Sequence, residues 1–275
     1  MANILKIIPD VVQVLANISI VCTLLFGAYQ IYLDKKEREL QNRKQERLKA
    51  IDLAGLYSKE LINNISYLSS VYEKAGIQEK LQKIKPIQLK KFDRAELEEL
   101  FTLQEIKEID EAMNNIDLKI LMDEAYKHFK NRKEHIVEFI TDSAIHFKVK
   151  NEEAVSTLDD DTFYKQNMLN DLYYNKIYIN TLNDTLNTLE YFCMYFNSGV
   201  ADEETIYQSL HQSFISMVQV LYFKISFRNY NGKDKYYTNI IDLYEKWINR
   251  FYQMKLKEID ANRKGEYKNK KIRDK

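Results

Sequence analysis

A run of 23 uncharged residues, Val11 to Leu33, constrains this chain more than any other feature. It reads VVQVLANISIVCTLLFGAYQIYL and is followed at once by Asp34-Lys35-Lys36-Glu37-Arg38. At about 1.5 Å per residue its helix is roughly 35 Å long, enough to cross a hydrocarbon core of about 30 Å with some tilt. A cleaved signal peptide fits less well, because the apolar stretch is too long and no small-x-small site precedes the charges. A buried soluble helix also fits less well, since amphipathic helices seldom run this far without a charge. The expectation is one transmembrane helix over residues 11–33, preceded by a short flank, residues 1–10.

The flanks set its direction. Only Lys6 and the amino terminus are positive before the run, whereas Lys35, Lys36, Arg38, Arg43, Lys44, Arg47 and Lys49 follow it. The positive-inside rule then puts the N-terminus outside and the larger C-terminal part in the cytosol. Ser19, Thr23 and Gly27, spaced four apart, form a stripe of small residues that lets two membrane helices approach closely. Gln13 and Asn17 form a polar pair on another face. The bilayer is therefore one expected partner, and a second copy, through the span and the helix after it, is another.

Two Pro and six Gly in 275 residues, with 30% charged residues, point to long helices and not to a sheet with many turns. The expected fold is all-α: the N-terminal span, then a cytosolic bundle of long helices. Cys22 lies in the span and Cys193 in an apolar helix, so no disulfide framework is read. The net charge is zero but uneven. Residues 34–50 carry seven bases and four acids, and residues 255–275 carry nine bases and four acids. Basic segments of this kind are drawn to anionic lipid; a solvated end is the plainer reading of the tail.

Residues 34–75 read as a membrane-proximal helix with a coiled-coil-like seam of Ile51, Ala54, Leu61, Ile65, Leu68 and Tyr72, broken by Ser58 and closed by Gly76. Residues 76–161 form a middle helical region. It holds a connector with Pro86, a cap at Asp93 with Glu96, and a capping box of Thr102 with Glu105. An apolar face follows through Ile106, Ile109, Met113, Ile116, Ile120 and Leu121. A further helix is expected over about 118–148, then an acidic loop over 151–161. Residues 162–258 read as a helical hairpin plus a final helix, with stops at Asn197-Ser198-Gly199 and the polar turn 229–235, and residues 259–275 as a basic tail. Facing residues in a hairpin turning at Gly199–Asp202 have numbers summing to roughly 400, since both helices rise equally. That pairs Glu190 with His211 and Asp171 with Arg228, and makes these four structural polar residues of the hairpin core.

The segment from Leu182 to Trp247 carries Asn187, Glu190 and Tyr191 on one helix, the Gly199/Asp202 turn, Arg228 closing the next helix, and a late Trp247. In that order, with the N-terminal span, these features resemble a group of bacterial single-pass membrane proteins of unknown function, some of them labelled phage abortive-infection proteins. The resemblance covers roughly the last third of the chain and the span. It implies the inner (cytoplasmic) membrane and a role in cell defence; it implies no reaction and carries over no catalytic residues.

Nothing in the residues themselves points to catalysis. Gly232-Lys233 lacks the partner glycine of a phosphate loop, and there is no nucleophile elbow. His128 and His135 share a helix face with Glu124 and Glu138, but Arg132 between them opposes a cation, so a solvated charged face is expected and no metal or other cofactor. Nucleic-acid binding is disfavoured, because the basic tail offers Tyr267 as its only aromatic and most of the twenty tyrosines fall on apolar helix faces. The expected function is non-enzymatic: cytosolic sensing of an unknown trigger or partner, followed by assembly or membrane disruption. The alternative is a tether or scaffold that holds a cytosolic partner without an effector step. An enzyme with an unfamiliar site is the third class.

Overall fold

The computed structural model describes residues 2–129, 160–231 and 234–273, and within them the side chains other than those of residues 2–18, 20–22, 160–171, 260 and 262–273. The described chain is all-helical, as expected. Helix α1 (Ala2–Leu56) passes through a single wide π-turn, Tyr57–Leu61, into α2 (Ile62–Lys74). Gly76 stops it in the left-handed region at φ 72°, where a side chain would be strained. Short helix α3 (Ile77–Leu81) and a 3-10 turn at Pro86–Gln88 lead to α4 (Arg94–Leu100), α5 (Leu103–Asn114) and α6 (Leu118–Phe129). Three long helices complete the fold: α7 (Asp160–Asn197), α8 (Glu203–Arg228) and α9 (Thr238–Arg273).

The local stops and starts follow the side chains. Asp93 accepts from the Glu96 amide and caps α4. Thr102 and Glu105 exchange both bonds of a capping box and start α5. After Asn197 the chain closes with the Gly199 amide on the Phe196 carbonyl and the Val200 amide on the Tyr195 carbonyl, a Schellman stop with Gly199 at φ 71°. Asp202 then accepts from the Glu204 amide and the Thr205 hydroxyl, capping α8. The final helix runs on to Arg273, past the end expected near Glu258. A lone Gly265 costs only about 1 kcal/mol in a helix, and a base-rich C-terminal end suits the helix dipole.

The core is aromatic. Tyr57, Tyr67, Tyr72, Tyr207, Tyr222, Tyr244, Phe92, Phe192, Phe214, Phe223 and Trp247 are all buried. Side-chain pairs give the helix directions. Lys49 lies over Tyr195, Tyr57 against Phe192, and the Tyr72 hydroxyl 3.1 Å from that of Tyr178, so α1–α2 runs antiparallel to α7. Asp202 bonds Glu46, and the Tyr57 hydroxyl donates to Ser213, so the same helix runs parallel to α8. Thus α1–α2 lies alongside both α7 and α8, and α7 packs chiefly against α9. A turn of five residues, 198–202, joins α7 to α8, and their side chains meet both near the turn and far from it: Phe192 lies 6.3 Å from Phe214, and Arg228 reaches Asn183.

The membrane-proximal seam is corrected in one respect. Leu61, Leu68 and Tyr72 are buried and Ala54 and Ile65 half-buried, but Ile51 is 56% exposed. The inward face before the π-turn is Ala50, Leu53 and Tyr57. The π-turn supplies the physical reason, since its extra residue rotates the inward face of the helix between the two segments.

Candidate functional site

The site is built at the root of α1. From residue 50 onward the helix is part of the bundle; over residues 23–45 it stands clear of it. The transition is gripped by the α7–α8 turn. The Asp202 amide donates to the Glu46 carbonyl at 3.1 Å, the Asp202 carboxylate lies 3.5 Å from the Arg47 guanidinium, and the Lys49 ammonium sits 4.5 Å from the centre of the Tyr195 ring. One aspartate thus caps α8 and holds α1.

Beyond this grip, Leu24, Leu25, Phe26, Tyr29, Ile31, Tyr32 and Leu33 are all exposed. At about 3.6 residues per turn they cover an arc of about 220° around the helix, with Thr23, Gly27 and Gln30 on the remaining side. Ser19 and Thr23 are exposed as well, and the Thr23 hydroxyl donates to the Ser19 carbonyl at 2.8 Å. A Cβ on Gly27 would meet open space. The expected small-residue stripe is thus free of the bundle. Among the described residues, no helix is long and apolar enough to cross a membrane. Of the run Val11–Leu33, the side chains described are those of Ser19 and residues 23–33.

The four structural polar residues do not pair as expected. Glu190 meets the start of α9 in place of His211. Its carboxylate accepts from the Asn239 amide at 3.1 Å, the Asn239 side chain at 2.8 Å and the Ile240 amide at 3.0 Å. It therefore satisfies amides that the first turn of a helix leaves unpaired. His211 bonds the Tyr207 carbonyl at 2.8 Å, stacks on the Tyr207 ring and leans on Phe251. Arg228 is exposed and reaches Asn183 at 3.3 Å, so it is not a core residue. The side chain of Asp171 lies outside the described residues. The antiparallel order holds, since Phe192 lies level with Phe214 and Asn183 with Arg228, but Glu190 and His211 both turn toward α9 and so do not meet.

Two carboxylates that the sequence reads as a cap partner and a solvated side chain are buried. Glu96, 3% exposed, accepts from the amides of Lys90, Lys91 and Phe92, the last in the left-handed region at φ 49°. Glu124, 2% exposed, lies 2.5 Å from the Lys74 ammonium, 2.9 Å from that of Lys127 and 3.7 Å from His128. This corrects the solvated face expected around Glu124; His135, Glu138 and Arg132 lie outside the described residues. Burial raises the Glu124 carboxyl, but Lys74 and Lys127 outweigh it and hold the group below the usual glutamate range. The signal was present: Glu124 falls three residues after Leu121 and next to Ala125, on the face that turns inward. Among the described residues, no three His, Cys, Asp or Glu side chains come together as a metal site.

No protein-family model, curated protein or solved structure matches the chain.

Proposed function

We propose that the chain is a membrane-anchored helical protein of bacterial cell defence, acting through cytosolic sensing and assembly or membrane disruption. One observation carries the anchor: residues 23–33 of α1 stand clear of the bundle with seven large apolar or aromatic side chains uncovered. A helix uncharged throughout and apolar over so wide an uncovered arc is not stable in water and is at home in lipid. Tyr29 and Tyr32 fit the interfacial level, and the bases from Lys35 onward fit a cytosolic flank. The defence role rests on the resemblance of the C-terminal third, and no step of it is catalytic.

The anchor is tested by fractionation and topology. The full chain should stay with membranes through alkaline carbonate extraction, and a reporter fused after Lys275 should be active only in the cytosol. Recovery in the soluble fraction, or periplasmic activity, overturns the architecture. The effector step is tested by induced expression with a membrane-potential dye, with and without phage challenge. Depolarisation on challenge is expected. Co-purification of a partner without any change in potential would instead assign the tether role.

A further inference from the structure

The cytosolic half of α1 carries a second apolar stripe that the bundle leaves open. Leu33, Leu40, Leu48 and Ile51 are 43%, 61%, 52% and 56% exposed. Among the described residues, Leu40, Leu48 and Ile51 are all the exposed large hydrophobic side chains between residues 34 and 56. Their positions fall within one arc of about 80° around the helix, on the side opposite Ala50 and Leu53, which face the core. Glu37 and Lys44 occupy the steps between, so Leu33, Glu37, Leu40 and Lys44 advance by four, three and four. One further step of four reaches Leu48, and a step of three reaches Ile51. This is a heptad seam with one stutter.

We propose that this stripe is a homotypic interface, through which α1 pairs in parallel with α1 of a second copy. The proposal rests on the membrane reading, which gives all copies one direction and one depth, so that identical residues come level. A seam with this repeat is matched by a helix of the same repeat. Glu37 is on the seam and faces its own copy, but the Lys36 of each chain lies beside the Glu37 of the other, which offsets that repulsion and permits the pairing. Arg43, Lys44 and Arg47, which with Leu40 and Leu48 line a shallow groove on this face, act against it. Their like charges face each other across the seam, which keeps the pairing reversible and makes it tighten as salt screens them.

Single cysteines test the register in the full chain, in membranes, with Cys22 replaced by Ser and Cys193 left buried. Oxidation should cross-link Leu33→Cys and Leu40→Cys at least tenfold more than Gln45→Cys, which lies on the flank. Leu40→Glu, at an exposed position, should abolish cross-linking of the Leu33→Cys chain while leaving its melting temperature unchanged. Equal cross-linking at all three positions, or none at Leu33 and Leu40, overturns the pairing. Carbonate extraction of the same samples reads the anchor separately. A chain that stays in membranes without cross-linking sinks the interface alone, and a soluble chain that cross-links at Leu33 and Leu40 sinks the anchor alone.

Discussion

Replacing Glu190 with Gln perturbs one helix start and little else. The carboxylate serves α9 through both oxygens: one takes the Asn239 amide and side chain, the other the Ile240 amide. Gln keeps the first acceptor and turns a donor toward the second amide. The loss is one charge-assisted bond, about 1.5–3 kcal/mol where the group is left unmade, with a dipole contribution of about 0.3–1 kcal/mol. Glu190 is only half-buried, so water recovers part of this, and about 2 kcal/mol is expected. For a domain of roughly 150–250 residues that lowers the melting midpoint by about 4–8 °C. A double-mutant cycle with Asn239→Ala should show coupling of at least about 0.5 kcal/mol, as for residues in one network. Arg228→Met supplies the contrast. Arg228 is exposed with one long bond to Asn183, so its removal should cost less than about 1 kcal/mol. Equal midpoint shifts for the two variants, or a Glu190→Gln midpoint within the error of wild type, would refute the assignment of Glu190 to the α9 start.

Acid should act through Glu124. Its folded pKa is depressed, so its stabilisation is full above the unfolded glutamate value and is lost as pH falls through the folded one. Denaturant titrations from neutral pH downward should show that loss, and Glu124→Gln should flatten it. Gly199→Ala is expected to cost about 1 kcal/mol, read by chemical denaturation, because the left-handed turn crowds a Cβ against its own backbone. Gly27→Leu should leave the melt unchanged, since a side chain there meets open space, but weaken association in a two-hybrid membrane assay; an unaltered oligomer counts against the small-residue stripe. Asp202→Ala should lower stability by about 1–2 kcal/mol through the lost cap, and increase proteolytic cleavage between residues 40 and 50 by freeing α1.

Helix ends were legible in the sequence because caps are local chemistry. Asp93, Thr102 with Glu105, Gly76, Gly199 and Asp202 each act within a few residues, and each stands where its residue type requires. Helix neighbours were not legible. The sum rule that paired Glu190 with His211 sets only how far along the helices two residues lie and assumes that they face each other. Instead α9 and α1–α2 compete for the same apolar faces, and that competition is decided by long-range packing. Ile51 was misplaced for a related reason: a π-turn leaves no residue signature in Tyr57–Leu61, yet it rotates everything on one side of it. Glu124 was hidden by its company, since His128, Arg132 and His135 on its face look like a wet surface until Leu121 is used to find the inward side.

The grip of the α7–α8 turn on α1 has a mechanical consequence. From Arg47 out to Thr23 the helix is unbroken over 25 residues, a rod of about 36 Å fixed at one end. A rod of this kind does not absorb a change at its clamp; it magnifies it. Tilting the clamp by about 10° would swing the far end by ~6 Å, more than the pitch of the helix itself. The sweep is set by where Asp202, Arg47, Tyr195 and Lys49 hold the shaft, so whatever shifts the tip of α7 relative to α8 is exported as displacement, with leverage, to the opposite end of α1.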